Sequence, residues 1–409
     1  MITVEEFRAE VREWLADNLV GEYAALKGLG GPGREHEAYE ERLAWNRHLA
    51  AAGLTCLGWP VEHGGRGLSV AHRVAFYEEY EKADAPDKVN HFGEELLGPT
   101  LIAFGTPEQQ QRFLPKILDV TEMWSQGYSE PGAGSDLANV ATAAVLDGDE
   151  WVINGQKVWT SLAHRARWGL LLARTNPDIA KHKGLTYFVL DMHAPGVETR
   201  PLRQMTGKAE FNEVYMTDAR IPDSHRLGAV GNGWGVAMTT LMNERSALGA
   251  SGSRRGSGTI KDATTLWASR PDLHTPVLRD RLAQLWLRSE AQRLTSERSR
   301  ASATAGGPGP EASVGKLVGA LLNQHIYEWC MDLLGPEGIL YDSYALADGS
   351  GDAGDWRGPI QQRYLRSRAN TIEGGTTEVM RNILGERVLG LPGDLRADAG
   401  MPWKEIPRG

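Results

Sequence analysis

The stretch Trp124-Ser-Gln-Gly-Tyr128-Ser129-Glu-Pro131-Gly132-Ala-Gly134-Ser135-Asp136 decides how the rest of the chain is read. It reads as a tight loop. Pro131 fixes φ and removes one backbone donor. Gly132 and Gly134 admit positive φ and let the backbone come close to another molecule. Ser129 and Ser135 flank the turn with hydroxyls that donate or accept. Such a loop suits a flat ligand with polar edges. Backbone N–H groups and hydroxyls would meet its heteroatoms, and an aromatic would lie near its face. The plainer alternative is an ordinary Gly/Pro turn, which the loop alone does not exclude.

Two further runs bear on that choice. After Asp136 come Trp151-Val-Ile-Asn-Gly-Gln-Lys-Val and then Trp159-Thr160-Ser161. Asn154-Gly155 between β-rich runs predicts a two-residue hairpin. That hairpin is expected to bring Trp159, Thr160 and Ser161 back towards the Ser129–Ser135 loop. Much later comes Ile372-Glu373-Gly374-Gly375-Thr376-Thr377-Glu378-Val-Met-Arg381-Asn382. With these three runs in this order, the chain resembles the acyl-CoA dehydrogenase family over essentially its whole length.

At 409 residues the chain is too long for one ordinary core, and two or three domains are expected. Hydrophobic content of 41% and charged content of 24% are ordinary for a globular protein. The net charge of −9 makes no electrostatic case for nucleic acid or an anionic membrane. Two cysteines, Cys56 and Cys330, lie far apart, so no disulfide framework is expected. The start, Met-Ile-Thr-Val-Glu-Glu, has no basic and apolar leader pattern, and no run of about 18 apolar residues exists. A cytoplasmic protein is expected. The histidines are scattered, with neither His-Glu-x-x-His nor paired Cys-x-x-Cys, so no metal is expected.

Periodicity divides the chain in three. Thr3 and Glu6 form a capping-box pattern before Phe7, Val11, Trp14 and Leu15 at helical spacing. Residues 38–54 read as a helix, Gly58 to Gly67 as a loop, and helices resume to about residue 118. Gly28-Leu-Gly30-Gly31-Pro32-Gly33 formally matches G-x-G-x-x-G. A helix precedes it rather than a strand, so it reads as a linker. From about 121 to 230 the period becomes two, with Asp147-Gly148 and Asn154-Gly155 as turns and no helix-length insertion. An antiparallel barrel or sandwich is expected there. From Trp234 the helical period returns, in 234–250, 277–303, 311–334 and 376–390. Residues 346–359 read as a flexible acidic loop with no assigned role. The order matches the family's α+β architecture, with an N-terminal α-helical domain (1–120), a central β domain (121–231) and a C-terminal four-helix bundle (232–409).

Removing two hydrogens from a saturated thioester needs a base for the α proton and an acceptor for hydride from the β carbon. No side chain accepts hydride, so a cofactor is required. The resemblance implies FAD, with Tyr128, Ser129, Gly134, Trp159, Thr160, Ser161 and Thr376 on the cofactor and Ser135 at the acyl-CoA chain. Without its motif, Trp159 would read as a core aromatic on a strand. The base should be a carboxylate in an apolar, closed site. Ala237, Leu241, Glu244 and Leu248, spaced 4, 3 and 4, share one helix face, and a glutamate on an apolar stripe is costly unless it is paired or used. Arg245 beside it either holds substrate or forms a structural ion pair. Most of the family carries its base in Glu-Gly-Thr. Aligning on Gly375-Thr376 places Gly374 there, and Glu373 falls one residue early. Some branched-chain and steroid-type members lack that glutamate and use one before arginine on the helix, so Glu244 is favoured over Glu373.

The chain also departs from the family. Members usually carry Arg-x-x-Phe-Gly after the first C-terminal helix and Gln-x-x-Gly-Gly-x-Gly later, both reaching a neighbour's FAD. Here these positions read Trp267-Ala-Ser-Arg270-Pro-Asp272 and Asp332-Leu-Leu-Gly335-Pro-Glu-Gly338. The expectation is an acyl-CoA dehydrogenase that passes electrons to an electron-transferring flavoprotein. Its assembly is either a homotetramer or an α₂β₂ complex with a related subunit that supplies the missing groups. The alternatives are a flavin-dependent monooxygenase or oxidase on the same fold, and a weakly catalytic or non-catalytic subunit.

Overall fold

The N-terminal capping box forms as read. The Thr3 hydroxyl accepts from the Glu6 amide at 3.2 Å, and the Glu6 carboxylate accepts from the Thr3 amide at 2.8 Å. It starts α1 (Val4–Asn18), whose Phe7, Val11 and Leu15 are buried. The structure, a computed structural model, describes residues 2–31, 34–250, 255–306, 312–341, 360–396 and 398–407. Side chains at 244–250, 300–306 and 312 are outside that description, and so is the acidic loop expected at 346–359. Four more helices follow in the first third: α2 (Tyr39–Ala51), α3 (Val70–Lys82), α4 (Gly98–Phe104) and α5 (Pro107–Leu118). A π-helical turn, Phe92–Leu97, leads into α4. Phe7, Trp45, Leu49 and Phe76 form the core here.

The glycine-rich linker wraps a buried arginine. The Arg42 guanidinium donates to the carbonyls of Glu35, Glu37 and Asp87, and a Cβ at Gly30 would lie 2.4 Å from it. Gly28, Gly30 and Gly31 all have positive φ, which explains the run of glycines without a phosphate.

The central sheet has eight strands: β1 (Trp124–Gly127), β2 (Ala143–Asp147), β3 (Glu150–Ser161), β4 (Trp168–Arg174), β5 (Leu185–Asp191), β6 (Val197–Pro201), β7 (Phe211–Pro222) and β8 (Arg226–Leu227). They run in the order β6-β7-β3-β2-β4-β5-β8, with β1 beside β4. Pairing is antiparallel except where β4 meets β1 and the start of β2. Side chains of β4 and β5 alternate between two cores. Leu170, Leu172, Tyr187 and Val189 face α4, α5 and the first C-terminal helix, whereas Leu171, Phe188 and Leu190 face β3 and β7.

One expected turn falls elsewhere. The β2–β3 hairpin closes at Asp147/Glu150, but Asn154-Gly155 lies inside the twelve-residue β3. Gly155 is there for close approach: a Cβ would lie 2.5 Å from the Thr142 hydroxyl and 2.7 Å from its Cα. Asn154 instead exchanges two 3.0 Å hydrogen bonds with Asp218, the positive-φ residue of a bulge in β7. Asn-Gly served a bulge and a tight crossing rather than a turn.

The C-terminal third contains α6 (Gly233–Ala250), α7 (Thr259–Ser269), α8 (Pro276–Gly306), α9 (Ala312–Leu334), α10 (Ile360–Ser367) and α11 (Thr377–Arg387). Ile260, Leu285, Ile326, Trp329 and Leu333 form its core. α7 and α10 go beyond the sequence pattern because they are short; only Ile260 and Ala263 of α7 are buried. The start of α6 lies on β5 so closely that a Cβ on Gly233 would sit 2.6 Å from the Thr186 backbone. Cys56 and Cys330 are buried free thiols. No described helix is long and apolar enough to cross a membrane.

Candidate active site

The Ser129–Asp136 loop and the end of β3 do come together, by a route other than the expected hairpin. Val158 N–H donates to the Ser129 carbonyl at 2.9 Å. The Lys157 ammonium, fully buried, donates to the Glu130 carboxylate (2.8 Å) and to the carbonyls of Tyr128 (3.0 Å) and Leu172 (2.8 Å). Glu130 also accepts from the amides of Ala141 and Thr142. Burial pushes the Glu130 carboxyl up, but Lys157 and these bonds outweigh it and hold it below the usual carboxylate range. The motif thus contains its own clamp, which sequence reading passed over. The signal was a glutamate and a lysine set in two otherwise small or apolar runs.

Beyond Lys157, β3 carries one more residue than β7 opposite it, a β-bulge between Lys157 and Thr160. Trp159 takes the bulged position at φ 60° and is 55% exposed. It is therefore not a core aromatic. The bulge turns a bulky side chain outward at a backbone conformation that such residues avoid. Its ring meets Phe211 edge-on at 5.8 Å. Thr160 next to it points inward, and its buried hydroxyl has no hydrogen-bond partner among the described residues. The amide nitrogen of Gln126, on β1 just before the loop, is orphaned in the same way, and sequence reading missed it.

The loop itself is open on one side. Ser135 and Gly134 are exposed, and a Cβ at Gly132 or Gly134 would meet nothing within 4 Å. Neither glycine has positive φ, so their smallness leaves room for another molecule without supplying an unusual turn. The Tyr128 ring is buried in the core, and its hydroxyl meets that of Tyr187 at 2.9 Å.

That contact belongs to a chain of buried hydroxyls that joins all three parts of the fold. Tyr187 meets Thr240 on α6 at 3.3 Å, and Thr240 meets Thr100 on α4 at 3.0 Å. Thr100 also bonds the Leu96 carbonyl at 2.7 Å. Thr240 also donates to the Val236 carbonyl of its own helix at 3.1 Å, so its one proton is shared between that carbonyl and Thr100. Thr240 lies one turn before Glu244 on the same helix face. The apolar stripe of α6 holds as far as Ala237 and Leu241, which pack in the core. Glu244 and Arg245 lie within α6, and their side chains fall outside the described residues. Asn243, just before them, has a buried amide nitrogen with no described partner.

Glu373 is engaged elsewhere. The Arg366 fork grips its carboxylate at 2.8 and 3.0 Å, and Asn370 donates to it at 2.8 Å. Gly374 and Gly375 both have positive φ, at 61° and 93°, and turn the chain into Thr376. Thr376 is the N-cap of α11, accepting from Val379 N–H at 3.2 Å. Of the two regions that depart from the family pattern, Arg270 is tied to Asp272 and Glu337, and Asp332 pairs with Arg281 at 2.8 Å. Asp332 is thus a neutralised anion rather than a bare one.

Comparison with known proteins settles the family. Residues 3–121, 125–219 and 231–389 match the N-terminal, middle and C-terminal domains of acyl-CoA dehydrogenases. The chain belongs to the acyl-CoA dehydrogenase family. The acyl-CoA dehydrogenase IpdE1 of Mycobacterium tuberculosis is 58% identical over 400 residues, covering 96% of this chain and 99% of that protein. Its namesake from Mycolicibacterium smegmatis is 56% identical over 411 residues, covering 97% and 100%. Among solved structures, a Tcur3481–Tcur3483 steroid acyl-CoA dehydrogenase matches at 29% identity and a TM-score of 0.76, covering 96% of this chain and 98% of that one. The ChsE4–ChsE5 complex from Mycobacterium tuberculosis matches at 31% identity and a TM-score of 0.75, covering 96% and 99%. This acyl-CoA dehydrogenase is therefore an oxidoreductase of a flavoprotein family. Among its described residues, no group of three His, Cys, Asp or Glu side chains could hold a metal.

Proposed function

We propose that this dehydrogenase is FAD-dependent, introduces an α,β double bond into a bulky, steroid-type acyl-CoA, and delivers electrons to an electron-transferring flavoprotein. One observation carries the cofactor reading. A strained, outward Trp159 and a buried Thr160 hydroxyl with no partner among the described residues stand at the end of β3 that is bonded to the open Ser129–Ser135 loop. Those residues fit a flat, polar-edged flavin. Trp159 would cover a ring face, Ser129, Thr160 and Ser161 would meet polar edges, and Gly134 would leave room for close approach, with Thr376 at the end of α11. The flavin supplies the hydride acceptor that no side chain can provide.

The protein's own part is the proton. Glu244, on the α6 face that holds Ala237, Thr240 and Leu241, is proposed as the base that takes the α proton. An apolar setting raises a carboxylate towards the pKa that proton abstraction needs. Glu373 is the weaker candidate because Arg366 and Asn370 already hold it as an ion pair. Arg245 and Ser135 are assigned to the thioester. The steroid class rests on the similarity to a steroid acyl-CoA dehydrogenase and on a base carried by the helix.

Assembly is read as α₂β₂ with a related subunit. Both matched structures are described by paired names, one of them as a complex. Arg270 and Asp332 are each committed to local ion pairs, so neither is poised to reach a neighbour's cofactor phosphates.

The test is Glu244→Gln, assayed on a panel of acyl-CoAs with an artificial electron acceptor. The variant should keep bound flavin and thioester affinity and lose about 10²–10⁴-fold or more in kcat. Full activity in Glu244→Gln beside an inactive Glu373→Gln would reverse the assignment.

A further inference from the structure

We propose that the segment Asp398–Ile406 is a strap that positions the Ser129–Asp136 loop and thereby sets affinity for the CoA thioester; this rests on the reading of that loop given above. After α11 the chain runs exposed to residue 396 and then returns to the β4–β5 connection. There the backbone docks by hydrogen bonds. Trp403 N–H donates to the Ile179 carbonyl at 2.9 Å, Lys404 N–H donates to Pro177 at 3.0 Å, and Pro402 bridges Ala180. The Lys404 ammonium adds an ion pair with Asp178 at 2.5 Å.

The Trp403 side chain reaches further. It is 8% exposed. Its indole N–H donates to the Asn139 side chain at 2.8 Å, and the Arg174 guanidinium lies 4.2 Å over its ring. Arg174 in turn donates to the carbonyls of Ala138 (2.7 Å), Val140 (3.0 Å) and Lys181 (3.1 Å). Lys181 grips both oxygens of Asp136 at 2.9 Å and Asp398 of the strap at 2.5 Å. Residues 136–140, which continue directly from Ser135, are therefore held by Arg174 and Lys181. Both of those cations are braced by the strap. Ser135 and Gly134 remain exposed on the open side.

A segment that only anchored itself to the sheet would change stability and leave ligand affinity alone. A brace on residues 136–140 moves Ser135 when it is released, and small misplacements at a binding loop are costly. The strap residues are positioning residues; none is assigned to touch the thioester.

The experiment uses the flavin-loaded assembly and coenzyme A itself as the calorimetric probe, with amide hydrogen exchange at 138–142 as a second readout. Trp403→Ala should weaken coenzyme A by about tenfold, and Asp398→Asn by about threefold. Both should speed exchange at 138–142 and leave flavin content unchanged. Ser135→Val, which alters the loop directly, is measured beside them. Faster exchange with unchanged coenzyme A affinity in Trp403→Ala, while Ser135→Val weakens it, overturns the strap alone. Unchanged affinity in both overturns the loop reading and the strap with it. If Trp403→Ala does not fold, Asp398→Asn decides by the same two readouts, because it keeps the side-chain shape and removes only the charge paired with Lys181.

Discussion

Trp159 is the residue at which strain and purpose meet. A bulky residue at φ 60° costs on the order of 1–3 kcal/mol, and here the ring meets Phe211 edge-on. Trp159→Gly removes the strain together with the contact. The flavin-free protein should unfold within about 1 kcal/mol of the parent in urea, while flavin titration shows affinity reduced by tenfold or more. A variant that binds flavin as well as the parent would show that the outward tryptophan serves something else. Glu373 makes the opposite case, a functional-looking residue with a structural job. Glu373→Gln takes from Arg366 the carboxylate gripped by its fork and leaves it the more distant Glu210 at 3.9 Å. It should lower the melting temperature and keep kcat within about threefold, since no reacting group is lost.

At the scale of elements, the Lys157–Glu130 pair holds β3 against the loop. Lys157→Met strands a buried carboxylate and should cost about 3–5 kcal/mol in chemical denaturation. Adding Glu130→Gln to it should restore a good part of that. A single variant no less stable than the double would show that the pair is solvated in solution. Tyr187→Phe cuts the hydroxyl chain between the loop and α6. It should lower kcat with little change in flavin content, whereas Thr240→Ser, which keeps a hydroxyl, should behave like the parent. What the sequence revealed divides along the same line. α1, α2, α5 and the long helices α8 and α9 were legible because an apolar stripe at period 3.6 or a capping box is local information. The three-part order and the motif loop were legible for the same reason. The Asn154-Gly155 turn was misread because that dipeptide also suits a bulge and a close crossing, and only the position of Thr142 separates the cases. The hydroxyl chain was not legible at all: Thr100 and Thr240 are 140 residues apart, and nothing near either threonine announces the other.

For the whole molecule, two histidines set an acid limit. Burial, aided by nearby cations, pushes His36 and His91 down to about 4 from an ordinary value near 6.5. Between those values the unfolded chain binds protons that the folded one does not. Stability contributed by the neutral rings is therefore complete above pH 6.5 and lost as pH falls towards 4. Melting temperature should drop steadily from pH 7 to 5, and His36→Gln should flatten that slope; an unchanged slope in a folded variant would remove His36 from the account. Assembly has its own outcome. Expressed with a related subunit from its genome, the chain should form a heteromer with flavin and activity, and alone it should lack one or both. A lone chain that is fully active with one FAD per subunit would favour the homotetramer. The strap finally bears on the order in which the molecule is made. Trp403 and Asn139 are separated by 264 positions, so on the ribosome the loop emerges long before its brace. The helices and sheet have time to form around a loop that still lacks its last restraints. Completion of the site thereby waits for residues 398–406: a nascent chain that has not reached them, or one terminated before them, presents the loop unbraced.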